Sequence, residues 1–173
     1  MAASISDPEA FFELFERHFG SVHRFVYRQL AHERADDASA EVFLRALKSV
    51  GNFSTEHESA LPWLLGIATN VVRRELRQRY VERAESLESM ATADDPAQER
   101  RLDAVGRLAE VEEVLKSMPA EEREPLLMYA WLDVSYEQIS LALGVPTGTV
   151  RSRISRARRR LRDELGLQEP EVV

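Results

Sequence analysis

Apolar side chains recur every three to four residues along most of this chain, which is the spacing of a helix that buries one face. No stretch shows the strict apolar and polar alternation of a half-buried strand. The pattern predicts helices over residues 8–20, 22–31, 36–50, 60–79, 102–117 and 120–132, and two more within residues 134–164. We therefore predict an all-α fold.

One segment of the chain, longer than a turn between helices, lacks the helical pattern. Residues 85–101 lose the apolar period and are rich in Ala, Ser, Asp and Glu, a composition typical of a linker. A length of 173 residues suffices for two small domains. We predict two small helical domains, residues 1–84 and 105–168, joined by a flexible linker over residues 85–104.

Residues 134–164 predict two helices joined by a tight turn. Ser135 and Gln138 have the spacing of a capping box, in which each side chain pairs with a free backbone N–H of the other residue. Gly144 is suited to end the first helix, and Thr147 is predicted to cap the second. The second helix carries a narrow apolar stripe of Val150, Ile154, Ala157 and Leu161. This pattern predicts a helix-turn-helix in the C-terminal domain.

The rest of the second helix is polar and basic. Seven arginines and no acidic residue lie between residues 145 and 162, although the whole chain carries a net charge of −7. Such a local basic patch favours a polyanion ligand. At 100° per residue, the face opposite the stripe carries Ser152, Ser155, Arg156 and Arg159, with Arg151 beside them. The alternative is a solvated basic helix, or one that lies on a membrane surface or in a partner's groove.

The sequence leaves two interpretations open for each of two features in the N-terminal half, a charged helix face and a lone aromatic residue. The helix over residues 36–50 has acids early and bases late, which fits either a solvated face or a docking surface. Phe53, the one aromatic residue of the polar segment 51–59, either packs into the core or lines a pocket for an unstacked base. The next helix contains Asn70 followed by a second basic group, Arg73, Arg74, Arg77 and Arg79.

Composition and motifs exclude several classes of protein. The chain has no cysteine, so it has no disulfide and no thiolate metal site. It lacks the phosphate-binding loop motifs and the nucleophile elbow, and its four histidines lack the spacing of metal ligands. We expect no enzyme activity, no cofactor and no bound metal. The apolar runs are too short to span a bilayer, so we expect a cytoplasmic protein without membrane insertion.

Three stretches together resemble the bacterial extracytoplasmic-function (ECF, group IV) sigma factors, the dissociable RNA polymerase subunits that recognise promoters. The stretches are Ala35-Asp36-Asp37 with Glu41-Val42-Phe43-Leu44-Arg45-Ala46, then Trp63-Leu64 with Ile67-Ala68-x-Asn70, then Leu115-x-x-Met118-Pro119 with Ser135-Tyr136-x-x-Ile139 and Gly148-Thr149-Val150-Arg151-Ser152-Arg153. The third block is the most specific. Its position after the other two follows the order of the family.

The resemblance implies partners and a role for each group of residues. The partners would be core RNA polymerase, double-stranded and locally melted promoter DNA, and an anti-sigma factor. Residues Asp36, Asp37, Glu41, Arg45 and Lys48 would dock on the polymerase. Residues Phe53, Asn70, Arg73, Arg74 and Arg77 would contact the melted downstream (−10) element. Residues Thr147, Thr149, Arg151, Ser152, Ser155, Arg156 and Arg159 would read the upstream (−35) element.

Each of the two modules is expected to bind DNA weakly by itself. When polymerase fixes their separation, binding of one module raises the effective concentration of the other at its DNA element, so the two together bind tightly. In the free chain, the two domains would fold on each other or be held by an inhibitor. The alternative function is a helix-turn-helix regulator whose N-terminal domain is a dimerisation or sensor module. A scaffold that binds only protein partners is a third possibility.

Overall fold

The computed structural model describes residues 8–30, 32–49, 59–89 and 103–167, and these ranges contain helices and no strand. The helices are α1 (Pro8–Tyr27), α2 (His32–Ser49), α3 (Leu61–Ser89), α4 (Asp103–Ser117), α5 (Ala120–Leu132), α6 (Tyr136–Leu143) and α7 (Thr147–Leu165). The predicted all-α fold, with two helical domains, is confirmed for these residues.

The first helix departs from the prediction. α1 runs unbroken from Pro8 to Tyr27, so the helix end expected at Gly20 and the separate helix over residues 22–31 were wrong. One continuous face of α1 buries Leu14, Val22, Phe25 and Val26. An internal glycine costs a helix about 1 kcal/mol, whereas burial of each large apolar side chain stabilises the fold by about 1.5–3 kcal/mol. The helix therefore continues through Gly20.

Other helix ends differ from the predicted ones by a few residues. α2 begins at His32, before the expected start at residue 36. α3 begins at Leu61 and continues to Ser89, so its last turn lies within the predicted linker, residues 85–104. Residues 90–102 lie outside the described part of the chain, and the linker stays a prediction there.

The helix-turn-helix of α6 and α7 forms largely as its sequence predicts. The Ser135 hydroxyl accepts a hydrogen bond from the Gln138 N–H at 3.2 Å, and the Gln138 side-chain oxygen accepts one from the Ser135 N–H at 2.9 Å. Gly144 ends α6 with a left-handed φ of 64°. The cap predicted at Thr147 was wrong by one residue, because the carbonyl of Pro146 accepts the first helical bonds of α7.

α7 is held against its own domain by the predicted apolar stripe. Val150, Ile154 and Ala157 are at most 1% exposed, and α7 packs on α5, α6 and α4. This packing leaves the opposite face of α7 toward solvent. The bracing that a helix-turn-helix requires is therefore present.

The two domains pack on each other. α3 lies against α6 and α1 lies against α5, and their buried apolar side chains form one continuous core. At the α1–α5 contact the Arg28 guanidinium lies 5.0 Å from the centre of the Trp131 ring, and Arg24 donates a hydrogen bond to the Trp131 carbonyl at 3.3 Å. This arrangement agrees with the expectation that the domains of the free chain fold on each other.

Candidate nucleic-acid interface

The outward face of α7 presents the predicted −35 side chains together. Arg151, Ser152, Ser155, Arg156 and Arg159 are all exposed, while Thr147 and Thr149, at the start of the helix, are partly exposed. The Ser152 hydroxyl donates a hydrogen bond to the Thr149 carbonyl at 2.9 Å, so its oxygen remains able to accept another. The face thus combines hydroxyl groups with guanidinium groups, the types of group that contact phosphates and base edges.

A partly buried carboxylate on α5 orients two arginines of α7. Arg156 Nε donates a hydrogen bond to Glu122 Oε1 at 2.9 Å, and Arg160 Nε lies 3.8 Å from Glu122 Oε2. The Glu122 side chain is 12% exposed, whereas that of Arg156 is 47% exposed. The bond uses Nε and does not engage the terminal nitrogens of Arg156. Sequence reasoning missed Glu122 because it lies 34 residues before its partner.

A second set of contacts, on one flank of α7, joins arginines to aromatic rings. The Arg151 guanidinium lies 6.0 Å from the Tyr136 ring centre, and that of Arg158 lies 4.9 Å from the Tyr129 ring centre. The two tyrosine rings are 5.2 Å apart. Stacking on an aromatic face restrains a guanidinium without neutralising its charge. The cationic charge of this flank is therefore positioned by α5 and α6.

The predicted −10 residues of α3 are in different surroundings. Asn70 and Arg77 are exposed. Arg73 forms a two-point ion pair with Glu124 of α5, with Nε–Oε1 at 2.8 Å and Nη2–Oε2 at 2.5 Å. Hydrogen bonding to Glu124 raises the pKa of Arg73. Phe53 lies outside the described residues. The structure thus places Arg73 at the contact between the domains, which sequence reasoning did not foresee.

Arg74 connects the −10 group to the predicted docking group. It pairs with Glu41 of α2 and lies 3.4 Å from Glu75 Oε1. Glu41 also accepts a hydrogen bond from Arg45 at 2.8 Å. Partial burial acts to raise the pKa of Glu41, but the hydrogen bonds from Arg74 and Arg45 outweigh it and hold that pKa below its ordinary value. Glu41 is therefore ionised in the folded chain at neutral pH.

The predicted docking face of α2 contains an exposed apolar residue at its centre. Asp37, Glu41, Leu44 and Lys48 are spaced by four, three and four residues, so they lie on one face of the helix. Leu44 is 57% exposed. Asp36 lies beside this face, with Oδ1 2.8 Å from His23 Nε2. Sequence reasoning singled out the charged residues and missed Leu44, although its spacing relative to them was the signal that marks it.

The described residues contain no helix that is long and apolar enough to cross a membrane. The basic outward face on a braced second helix defines a DNA-binding helix-turn-helix protein.

Comparison with known proteins identifies the family. Residues 14–81 match Sigma-70 region 2, and residues 108–161 match Sigma-70, region 4. The chain is 34% identical over 165 residues to the ECF RNA polymerase sigma factor SigE of Mycolicibacterium smegmatis, covering 93% of this chain and 63% of SigE. It is 36% identical over 141 residues to the ECF RNA polymerase sigma factor SigC of Mycobacterium tuberculosis, covering 79% of this chain and 73% of SigC. The chain belongs to the ECF sigma factors, a family that directs promoter-specific transcription and does not consist of enzymes.

A solved structure has the same fold. The sigma factor RpoE from Bartonella quintana, solved in complex with the anti-sigma factor NepR, matches with a TM-score of 0.71 at 24% identity, covering 93% of this chain and 99% of RpoE. The two sigma-70 regions lie within the predicted domains, residues 1–84 and 105–168, whose boundaries stay predictions.

Proposed function

We propose that this ECF sigma factor recognises its promoters in the cytoplasm through two separate surfaces, one on each domain. α7 reads the −35 element, and α3 contacts the melted −10 element through Asn70, Arg73, Arg74 and Arg77, with Phe53 in the preceding segment. α2 docks on core RNA polymerase. The observation that carries this proposal is the basic, hydroxyl-rich face of α7 on a braced helix-turn-helix inside an otherwise acidic chain.

The assignment of α7 has support from its local chemistry. Arg151 and Arg156 are held by an aromatic ring and a carboxylate respectively, so each loses less conformational entropy when it binds a base. Restrained and exposed arginine side chains suit two-point contacts to guanine. Thr147, Thr149, Ser152, Ser155 and Arg159 supply the neighbouring contacts to bases and phosphates.

The assignment of α2 has support from Leu44. An exposed leucine surrounded by Asp37, Glu41 and Lys48 has the composition of a small interface core with a charged rim. Asp36 and Arg45 extend this rim. A protein partner that covers Leu44 with apolar side chains gains apolar burial, whereas the charged phosphate backbone of nucleic acid does not provide it.

Substitution of Leu44 tests the docking surface directly. Leu44→Arg is expected to weaken holoenzyme formation with purified core polymerase by roughly tenfold or more, measured by fluorescence anisotropy of the labelled chain. Leu167→Arg is the matched control, because Leu167 is 58% exposed and lies outside α2. Equal binding by both variants would remove α2 from the interface.

Transcription tests the function as a whole. Reconstituted holoenzyme is expected to produce run-off transcripts from a library of randomised promoters, and the chain without polymerase is expected to show little specific DNA binding. A homodimer that binds a palindromic site tightly and ignores core polymerase would instead establish an ordinary helix-turn-helix regulator. RpoE was solved with an anti-sigma factor, and we extend the proposal to an anti-sigma partner for this chain.

A further inference from the structure

A row of rings follows one face of α1. Four ring side chains recur at every fourth residue, at Phe15, Phe19, His23 and Tyr27. Residues four apart lie on the same face of a helix. The centre of the His23 ring lies 5.6 Å from that of Phe19 and 5.9 Å from that of Tyr27, and both pairs are stacked. His23 is therefore held between two rings of its own helix.

The same row packs on α2. Phe43, which is 4% exposed, has its ring centre 4.8 Å from that of Phe15 and 5.9 Å from that of Phe19. Aromatic pairs at such separations add stability beyond the apolar area that they bury. The packing fixes α1 against α2, and it thereby fixes the position of the His23 ring relative to α2.

The His23 ring reaches the predicted docking residue Asp36 of α2. His23 Nε2 lies 2.8 Å from Asp36 Oδ1. An ionised carboxylate only accepts hydrogen bonds, so Nε2 carries the proton and donates it to this bond. The His23 side chain is 30% exposed, whereas that of Asp36 is 84% exposed. The bond therefore holds the carboxylate from the side of α1, while the rest of the Asp36 side chain stays open to a partner.

The neighbouring docking residue Glu41 is engaged in a different way. Arg45 contacts Oε1 of Glu41 and Arg74 contacts Oε2, so both carboxylate oxygens already have a cationic partner. Among the described residues, Asp36 is contacted at Oδ1 alone. A cationic side chain of a partner can reach Oδ2 of Asp36 without displacing His23. Of these two carboxylates, that of Asp36 is both positioned and available.

We infer that His23 is a positioning residue of the docking surface, which fixes the Asp36 carboxylate so that Oδ2 meets a cationic group of core RNA polymerase. This inference rests on the proposed function, because it takes Asp36 as a docking residue. A side chain that is fixed before binding loses less conformational entropy in the complex. Phe19 and Tyr27 contribute by restraining the imidazole ring. The docking surface thus depends on α1 as well as on α2.

Two substitutions of His23 separate the hydrogen bond from the packing. His23→Leu keeps an apolar side chain between the two flanking rings and removes the donor. His23→Gln restores a donor, because the amide nitrogen of glutamine can take the place of Nε2. Arg17→Leu is the matched control, since Arg17 is exposed and lies on another side of α1. Each substitution of His23 is also combined with Asp36→Ala in a double-mutant cycle.

Affinity for purified core polymerase is measured by fluorescence anisotropy of the labelled full-length chain. His23→Leu is expected to weaken binding by about two- to tenfold, which is the cost of ordering one side chain on binding. His23→Gln and Arg17→Leu are expected to bind like the wild type. In the Asp36→Ala background, His23→Leu is expected to cause no further loss of affinity.

Three results would overturn the inference. The first is unchanged binding by His23→Leu, and the second is an equal loss from His23→Leu in the Asp36→Ala background. The third is a loss in His23→Gln as large as that in His23→Leu. A purely structural role of His23 would weaken binding whether or not Asp36 is present, so the cycle distinguishes it from a positioning role. Urea unfolding of each free variant measures the change in stability beside the change in affinity.

Leu44→Arg separates this inference from the proposed docking function. If Leu44→Arg weakens binding and His23→Leu does not, the positioning role of His23 is rejected and docking through α2 stands. If neither Leu44→Arg nor Asp36→Ala weakens binding, the docking surface is rejected, and the inference is rejected with it.

Discussion

Replacement of Arg156 by alanine should separate a DNA-reading role from a structural one. Arg156 Nε bonds to Glu122 at 2.9 Å, and its terminal nitrogens are free of that bond. A two-point contact of an arginine with guanine contributes about 1–3 kcal/mol of discrimination. At 1.4 kcal/mol per factor of ten, Arg156→Ala should reduce the preference for the correct base by about 5- to 150-fold.

The same substitution should have a smaller effect on folding. The Arg156 side chain is 47% exposed, and such partly solvated ion pairs contribute about 0.2–1 kcal/mol. Glu122 also retains Arg160, whose Nε lies 3.8 Å from its second oxygen, so the carboxylate keeps a cation nearby. The loss of base discrimination is therefore expected to exceed the loss of free energy of unfolding.

The assay uses holoenzyme reconstituted from core polymerase and a promoter library randomised in the upstream element. Enrichment of each base at each position is compared between wild type and Arg156→Ala, and urea unfolding of the free chain gives the stability change. Glu122→Gln is the companion variant, which keeps Arg156 but weakens its orientation, and it should relax the same base position to a lesser degree. If Arg156→Ala lowers transcription uniformly from all sequences, Arg156 contacts the backbone. An unchanged preference with a clear loss of stability would make it a structural partner of Glu122.

Three further predictions concern folding and pH. Ser135→Ala removes the hydroxyl that accepts the capping-box hydrogen bond of α6, and it should lower the free energy of unfolding by about 0.5–2 kcal/mol. Urea titration measures this change. An unchanged free energy of unfolding would mean that water replaces the capping hydroxyl. Gly144→Ala places a Cβ on a residue with φ of 64° and should cost about 1–2 kcal/mol, measured in the same way; open space around Gly144 excludes a steric clash as the cause. Glu41 has a folded-state pKa below its ordinary value of 4.5, so its stabilising contribution is present above that pH and is lost as pH falls through the lowered pKa. The difference in stability between wild type and Glu41→Gln should therefore shrink on acidification below about pH 4.5, and a difference that is constant with pH would contradict the ion pairs with Arg45 and Arg74.

Much of the C-terminal site follows from local sequence alone. The Ser135–Gln138 capping box, the glycine that ends α6 and the apolar stripe of α7 each depend on residues within about three helical turns of one another. These features can be predicted from the sequence because the residues that interact within a helix lie three to four positions apart. The basic face of α7, and with it the family, was therefore predictable.

Only the tertiary structure shows which charges are already paired and which surfaces are covered. Arg156 pairs with a residue 34 positions away and Arg73 with one 51 positions away, and no local period encodes contacts of that range. The sequence predicted a helix end at Gly20 and none at Gly66, and both glycines lie inside helices. Burial around Gly20 carries α1 through it, and the close approach of α6 requires Gly66. The sequence by itself thus determined α7, its basic face and its hydroxyl groups. The packing of the two domains decided that Arg73, which the sequence assigned to DNA, forms an ion pair with Glu124. Such a pair depends on which helices pack together, and local sequence does not specify that.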